Sequence, residues 1–323
     1  MKTHVLVALF FLTLCAQAQT EKRVFAESSF WYQAIPKDVP LHTNSANYVA
    51  EFLRQKKAYY GTVSINTKAY ASPVYVVGPD VKPVVVTEWD GQKKGFKYPA
   101  LEAQWTAVPI PDYAEPADGT DAEMCIYQPS TDSLWEFWLT RKVDGKWQAC
   151  WGGGMKQVSK NPGIWENRFG TTATSLPFIG GQIRPEELRR GVIDHVMGIS
   201  LVDLEHYSIV SWPATRSDGY NPQKVPNRIP EGLRFRLDPS VDVEALNLPP
   251  AGKVIARAAQ TYGFVVWDKA GAITLRADNP KPNVLRGEKD PYPELFSNKP
   301  AWAILQGVPW EKLQFLPMHY GRP

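Results

Sequence analysis

The stretch EMCIYQPSTDSLWEFWLTRKVDGKWQACW, residues 123–151, decides how this chain is read. Apolar and polar residues alternate through it, and two turn signals interrupt it. Alternation with a period of two marks strands with two distinct faces. Residues 123–129, 134–143 and 146–151 therefore read as a three-strand meander. Thr131-Asp132 centres the first turn. Asp144-Gly145 makes the second, a strong type I′ hairpin signal.

If both turns hold two residues, the register sorts the side chains onto two faces. Met124, Ile126, Trp135, Phe137, Leu139 and Cys150 share a face that reads as core. Glu123, Cys125, Tyr127, Glu136, Trp138, Ala149 and Trp151 share the other. Tyr127 then stands opposite Glu136, and Trp138 opposite Trp151. Aromatic rings stack on pyranose faces while carboxylates accept hydroxyl hydrogen bonds, so this face suits a sugar. Two carboxylates on one face also suit a glycoside hydrolase. The plainer reading makes the Trp residues core and Glu136 a solvated strand residue.

The same register separates the cysteines. Cys125 falls opposite Trp138 and Cys150 opposite Leu139, which point to opposite faces. Two strands apart, they lie about 9–10 Å from each other, beyond the reach of about 7 Å that a disulfide allows. Free, buried thiols are expected.

Outward from the meander, 28 Pro and 23 Gly among 323 residues argue for short strands and turns over long helices. Helices are expected at 44–60, 184–191 and 249–262. Strands are expected at 61–65, 74–77, 81–87, 192–201, 207–212 and 232–237, with a hairpin of 263–267 and 273–277 around Ala270-Gly271. The fold class is mainly β: an antiparallel β-sandwich or jelly roll with a few peripheral helices. Residues 1–18 read as a secretory signal: Lys2 and His4, an apolar run from Val5 to Leu14, then Ala16-Gln17-Ala18. Leu14 before Cys15 argues against a lipoprotein. Residues 19–323 read as one β-rich domain with a Pro-rich tail, secreted and without a membrane span. The net charge is +3, and no basic run points to nucleic acid.

Ile193-Asp194-His195 is a second constellation. His195 in an apolar strand serves as a base or orients substrate, or else is a satisfied core histidine. Asp194 points the other way. Arg184 either meets an anionic group or is a surface arginine. There is no G-x-S-x-G, H-E-x-x-H, phosphate loop or Rossmann fingerprint. No cofactor is expected, and a calcium site among Asp112, Asp118 and Asp121 is a weak alternative.

Several motifs taken together carry a resemblance. They are Thr120-Asp121-Ala122-Glu123-Met124, Tyr127-Gln128-Pro129-Ser130-Thr131-Asp132, Leu134-Trp135-Glu136-Phe137-Trp138 and Ala173-Thr174-Ser175-Leu176-Pro177. The segment 183–195, Ser211-Trp212-Pro213-Ala214 and Pro230-Glu231-Gly232-Leu233-Arg234-Phe235-Arg236-Leu237 complete the set. The chain resembles a group of secreted β-sandwich proteins common in actinobacteria. The resemblance implies a lectin-like or polysaccharide-processing fold. The group places a His where this chain has Glu123, so a His-dependent activity would not carry over.

The expected function is a secreted enzyme that cleaves a polysaccharide. In a hydrolase, Glu136 is the first choice of acid or nucleophile, with Glu123, Asp121 or Asp194 as its partner. In a lyase, His195 and Tyr127 are base and acid, and Arg184 neutralises a uronate. Trp138 and Trp151 bind substrate in either case. The alternative is a non-catalytic glycan-binding or matrix protein.

Overall fold

The computed structural model describes residues 23–323; the expected secretory signal lies outside the described residues. Thirteen strands form among them: β1 (Ser64–Asn66), β2 (Val74–Val76), β3 (Val86–Glu88), β4 (Met124–Gln128), β5 (Ser133–Trp138), β6 (Arg141–Val143), β7 (Lys146–Ala149), β8 (Trp151–Lys156), β9 (Met197–Leu201), β10 (Arg234–Leu237), β11 (Phe264–Lys269), β12 (Thr274–Arg276) and β13 (Leu313–Phe315). They make a six-stranded sheet ordered β1-β12-β9-β11-β10-β13, a four-stranded sheet β2-β4-β5-β8 and a three-stranded sheet β3-β7-β6. The chain is β-rich with few helices. The sheets are mixed, which corrects the antiparallel expectation: β1 with β12, β9 with β11, β2 with β4 and β3 with β7 all pair parallel.

The strand β11 explains how the layers are held. Its Phe264 and Val266 enter one hydrophobic cluster, while Val265 and Trp267 enter another. Side chains alternate along a strand, so burial of both sets means cover on both faces. The first cluster takes Phe52 from the helix Ser45–Ala58 and Val254, Ile255, Ala258 and Ala259 from the helix Pro250–Thr261. Both helices lie where their apolar spacing places them. The second cluster holds Met124, Ile126, Trp135 and Phe137 of the core face read from the meander, but not its Leu139 and Cys150, and it also takes Cys125 and Ala149 from the other face.

The expected hairpin of β11 and β12 does not form. β9 lies between them, parallel to β11 and antiparallel to β12. All five β9 residues are buried, as suits a central strand. Gly198 admits it: a Cβ there would lie 2.2 Å from the Trp267 ring. The strand expected at 192–201 starts only at Met197, and none forms at 207–212.

The meander also divides. Leu139 takes a left-handed φ of 51°, and the middle strand breaks there into β5 and β6. The third breaks into β7 and β8. The Asp144-Gly145 turn holds its two-residue register, pairing Val143 with Lys146. The first turn instead spans four residues, because Gln128 pairs with Ser133. Asp132 caps the downstream segment there, accepting from Ser159 N–H at 2.9 Å and Ser159 Oγ at 2.7 Å. The register therefore shifts by two. Faces survive such a shift, but partners change. Glu136 stands opposite Cys125 and Tyr127 opposite Leu134, correcting the Tyr127–Glu136 and Cys125–Trp138 pairs. Cys125 and Cys150, the cysteines among the described residues, are both buried and free.

Candidate functional site

Ends of β4, β5, β8 and β11 meet the loops around 171 and 216–218 at a cavity of about 420 Å3. Trp138 and Trp151 line it and are direct cross-strand partners, as the meander register requires. The Trp151 ring is braced by Tyr98, edge-on at 4.9 Å between centroids, and by Phe169, tilted at 5.6 Å. The Arg216 guanidinium lies 5.5 Å from the same ring. Arg216 is itself fixed, donating to the carbonyls of Gly170 (2.8 Å) and Thr172 (2.7 Å) and to Ser175 Oγ (3.0 Å). The aromatic wall is thus set before any ligand arrives.

Carboxylates line the same cavity. Asp121 and Glu123 come from the approach to β4, Asp218 from a loop, and Asp268 from the end of β11. The buried Arg276 of β12 bridges Glu123 and Asp268, with its Nη2 2.8 Å from Asp268 Oδ2. Burial raises the Glu123 carboxyl, against the pull of Arg276. Burial pushes Asp268 up to about 7; Arg276 opposes the rise, and the charges of Asp218 and Glu123 add to it. Asp218 keeps a solvent-exposed edge, yet the walls strip enough water from it to raise its carboxyl despite Lys269 and Arg216. Behind it lies Glu231, 1% exposed, raised well above the usual range by burial and then by the Asp218 charge. The Asp218 N–H donates to Glu231 Oε2 at 3.1 Å. Glu231 Oε1 and Glu123 Oε2 have no hydrogen-bond partner among the described residues.

Crowded carboxylates in a desolvated site cannot all ionise together. Burial raises every carboxyl of the cluster Asp218, Glu231, Asp268 and Glu123, Asp268 to about 7, an arrangement that suits acid and base work in one cavity.

The remaining sequence candidates fall elsewhere. Glu136 is fully buried. Its Oε1 accepts from Phe178 N–H at 2.6 Å, and its Oε2 accepts from Thr171 Oγ1 at 2.9 Å and Trp165 Nε1 at 3.2 Å. Thr171 lines the cavity, so Glu136 stands one residue behind it. Gly153 makes room for that cover, since a Cβ there would lie 3.0 Å from the Trp165 ring. Tyr127 and Arg184 line a separate cavity of about 540 Å3 with Asp278. His195 is a buried histidine with both ring nitrogens engaged: Nδ1 is 2.8 Å from the Val196 carbonyl and Nε2 3.1 Å from Glu187 Oε1. Burial would raise Glu187, but His195 and Arg184 outweigh it and hold the carboxyl at about 2. Asp194 pairs with Arg190 at 3.2 Å. Asp118 pairs with Lys281 at 2.8 Å. Among the described residues, no three His, Cys, Asp or Glu side chains gather as metal ligands.

Of the sequence candidates, the cavity brings together Asp121, Glu123, Trp138 and Trp151. Asp218, Asp268, Arg216, Lys269 and Arg276 were not singled out by sequence. The available signal was charge in apolar surroundings: Arg276 ends a buried strand, and Asp268 follows Val-Val-Trp. Comparison with family models, curated proteins and solved structures finds no match, so the chemistry is argued from this geometry.

Proposed function

We propose that the protein is a secreted carbohydrate-active enzyme that hydrolyses a polysaccharide in the cavity between Trp138, Trp151 and the carboxylates. The observation that carries this reading is the meeting of the Trp138–Trp151 pair, with Trp151 braced, and mutually crowded carboxylates in one cavity. Asp218, raised and in reach of solvent, is the proton donor to the departing sugar oxygen. Asp268, oriented by Arg276, is the second carboxylate, acting on water or on the anomeric carbon. Glu123 holds Arg276 from its other side. A lectin-like sandwich belongs to the same proposal and is supported by the burial of both faces of β11.

Hydrolysis is favoured over lytic elimination because His195 is spent on Glu187 and Tyr127 lines a different cavity. A purely binding role needs the Trp pair alone and leaves the crowded carboxylates without work. The test is a panel of neutral and uronic polysaccharides, scored for new reducing ends and for unsaturated products. Reducing ends without unsaturation are expected. Asp218→Asn is expected to lower turnover by about 100-fold or more, the size of a general-acid contribution, while polymer binding persists. Binding without turnover in the wild type would make the protein a lectin-like binder. Unsaturated products would make it a lyase.

A further inference from the structure

A second cavity, of about 850 Å3, meets the first at Asp121 and Lys269, which line both. Its other charged lining residue is Arg276, the same guanidinium that bridges Glu123 and Asp268. The rest of its lining is uncharged. Tyr60, Tyr70 and Trp302 line it with relative exposures of 83%, 39% and 48%. Ser64, Asn66 and Gln306 add hydroxyl and amide groups. Three exposed aromatic rings on one cavity are costly in water unless something covers them.

Two of the rings are also placed at a backbone cost. Tyr60 and Tyr70 have φ of 66° and 58°, a left-handed conformation that disfavours any residue with a Cβ by about 1–2 kcal/mol. The Tyr70 ring lies over Gly119, where a Cβ would come within 3.1 Å of it. Thr62 Oγ1 donates to the Trp302 carbonyl at 2.8 Å, which ties the segment carrying Trp302 to the strand-side wall.

We infer that the second cavity binds further neutral sugar residues of the same chain that is cleaved in the first. The inference rests on the proposed carbohydrate site and extends it. Uncharged aromatic and hydroxyl-rich walls match neutral pyranoses, whose apolar faces stack while their hydroxyls exchange hydrogen bonds. The shared rim at Asp121 and Lys269 lets one chain occupy both cavities.

Calorimetric titration tests this with neutral glucan, mannan and galactan series, each running from disaccharide to polymer. The full-length mature protein is compared with Trp302→Ala and Tyr60→Asn. Asn tolerates the left-handed backbone, so the second variant removes a ring without adding strain. The wild type is expected to prefer longer chains of one series. Each variant should lose roughly tenfold in affinity for the polymer, the value of one aromatic contact, and keep its affinity for the disaccharide. Equal wild-type affinity for short and long chains, or unchanged polymer affinity in both variants, would overturn the extended site and leave the first cavity's assignment standing. Failure of the wild type to bind any neutral series would overturn the extended site, while reducing ends released from a uronic polymer would still keep the first cavity's assignment. A melting curve for each variant separates lost contacts from lost folding.

Discussion

Glu136 shows how a residue suited to catalysis becomes structural. Both carboxylate oxygens face only donors or a hydroxyl: Phe178 N–H at Oε1, and the Thr171 hydroxyl and Trp165 indole at Oε2. A glutamine of the same shape turns its NH2 group toward one of these sites in either orientation. Next to Phe178 it meets an N–H; next to Trp165 it meets an indole N–H. Glu136→Gln is therefore expected to destabilise the protein by about 1–3 kcal/mol, the cost of a buried unsatisfied donor, in urea denaturation. Binding to sugar should persist in the folded fraction. Normal stability with abolished turnover would return Glu136 to the catalytic list. The sequence placed Glu136 on the correct face. It did not show that Trp165, Thr171 and Phe178, from a loop 29 to 42 residues away, cover that face.

At the scale of elements, β9 is the decisive insertion. Its five buried residues separate β11 from β12 and carry Gly198 beneath Trp267. Gly198→Ala would place a methyl 2.2 Å from the ring. Overpacking of this kind costs typically 1–3 kcal/mol and sometimes more. The expected outcome is a loss of about 3 kcal/mol in chemical denaturation, with β9 and β11 losing amide protection together. A neutral effect would mean that Trp267 has room to move. The two long helices were legible because their apolar spacing and terminal Gly signals are local. The hairpin of β11 and β12 was misread for the complementary reason. Turn residues report that a chain reverses, whereas pairing depends on whether another strand fits between.

Across the whole molecule, buried carboxyls dominate the response to pH. Burial pushes Glu136, Asp268 and Asp278 each up to about 7 from ordinary values of 4.5, 3.8 and 3.8. A carboxyl raised on folding binds its proton more tightly in the folded state. Its contribution is greatest while protonated and is lost as pH rises from the ordinary value through 7. Glu187 behaves oppositely. Held at about 2, it stabilises above its ordinary value of 4.5 and loses that contribution as pH falls toward 2. Together these groups place maximal stability at about pH 4–5, with a decline between pH 5 and 8. Melting temperatures across that interval check the sign. A curve that rises toward pH 8 would mean that these carboxyls, Asp268 of the cavity among them, ionise as freely as in the unfolded chain.

By itself, the sequence determined the β-rich class, the places of the main helices, the two faces of the meander and the pairing of Trp138 with Trp151. Each of these depends on local periodicity or on a turn whose geometry its own residues set. The tertiary structure alone decided which face was covered, where β9 entered and which charges met at the cavity. Asp218 lies far along the chain from the neighbouring Asp268 and Arg276, and all three are brought to Glu123 from distant segments by sheet order and loop packing. Long-range burial, and the pKa shifts that come with it, are properties of that packing.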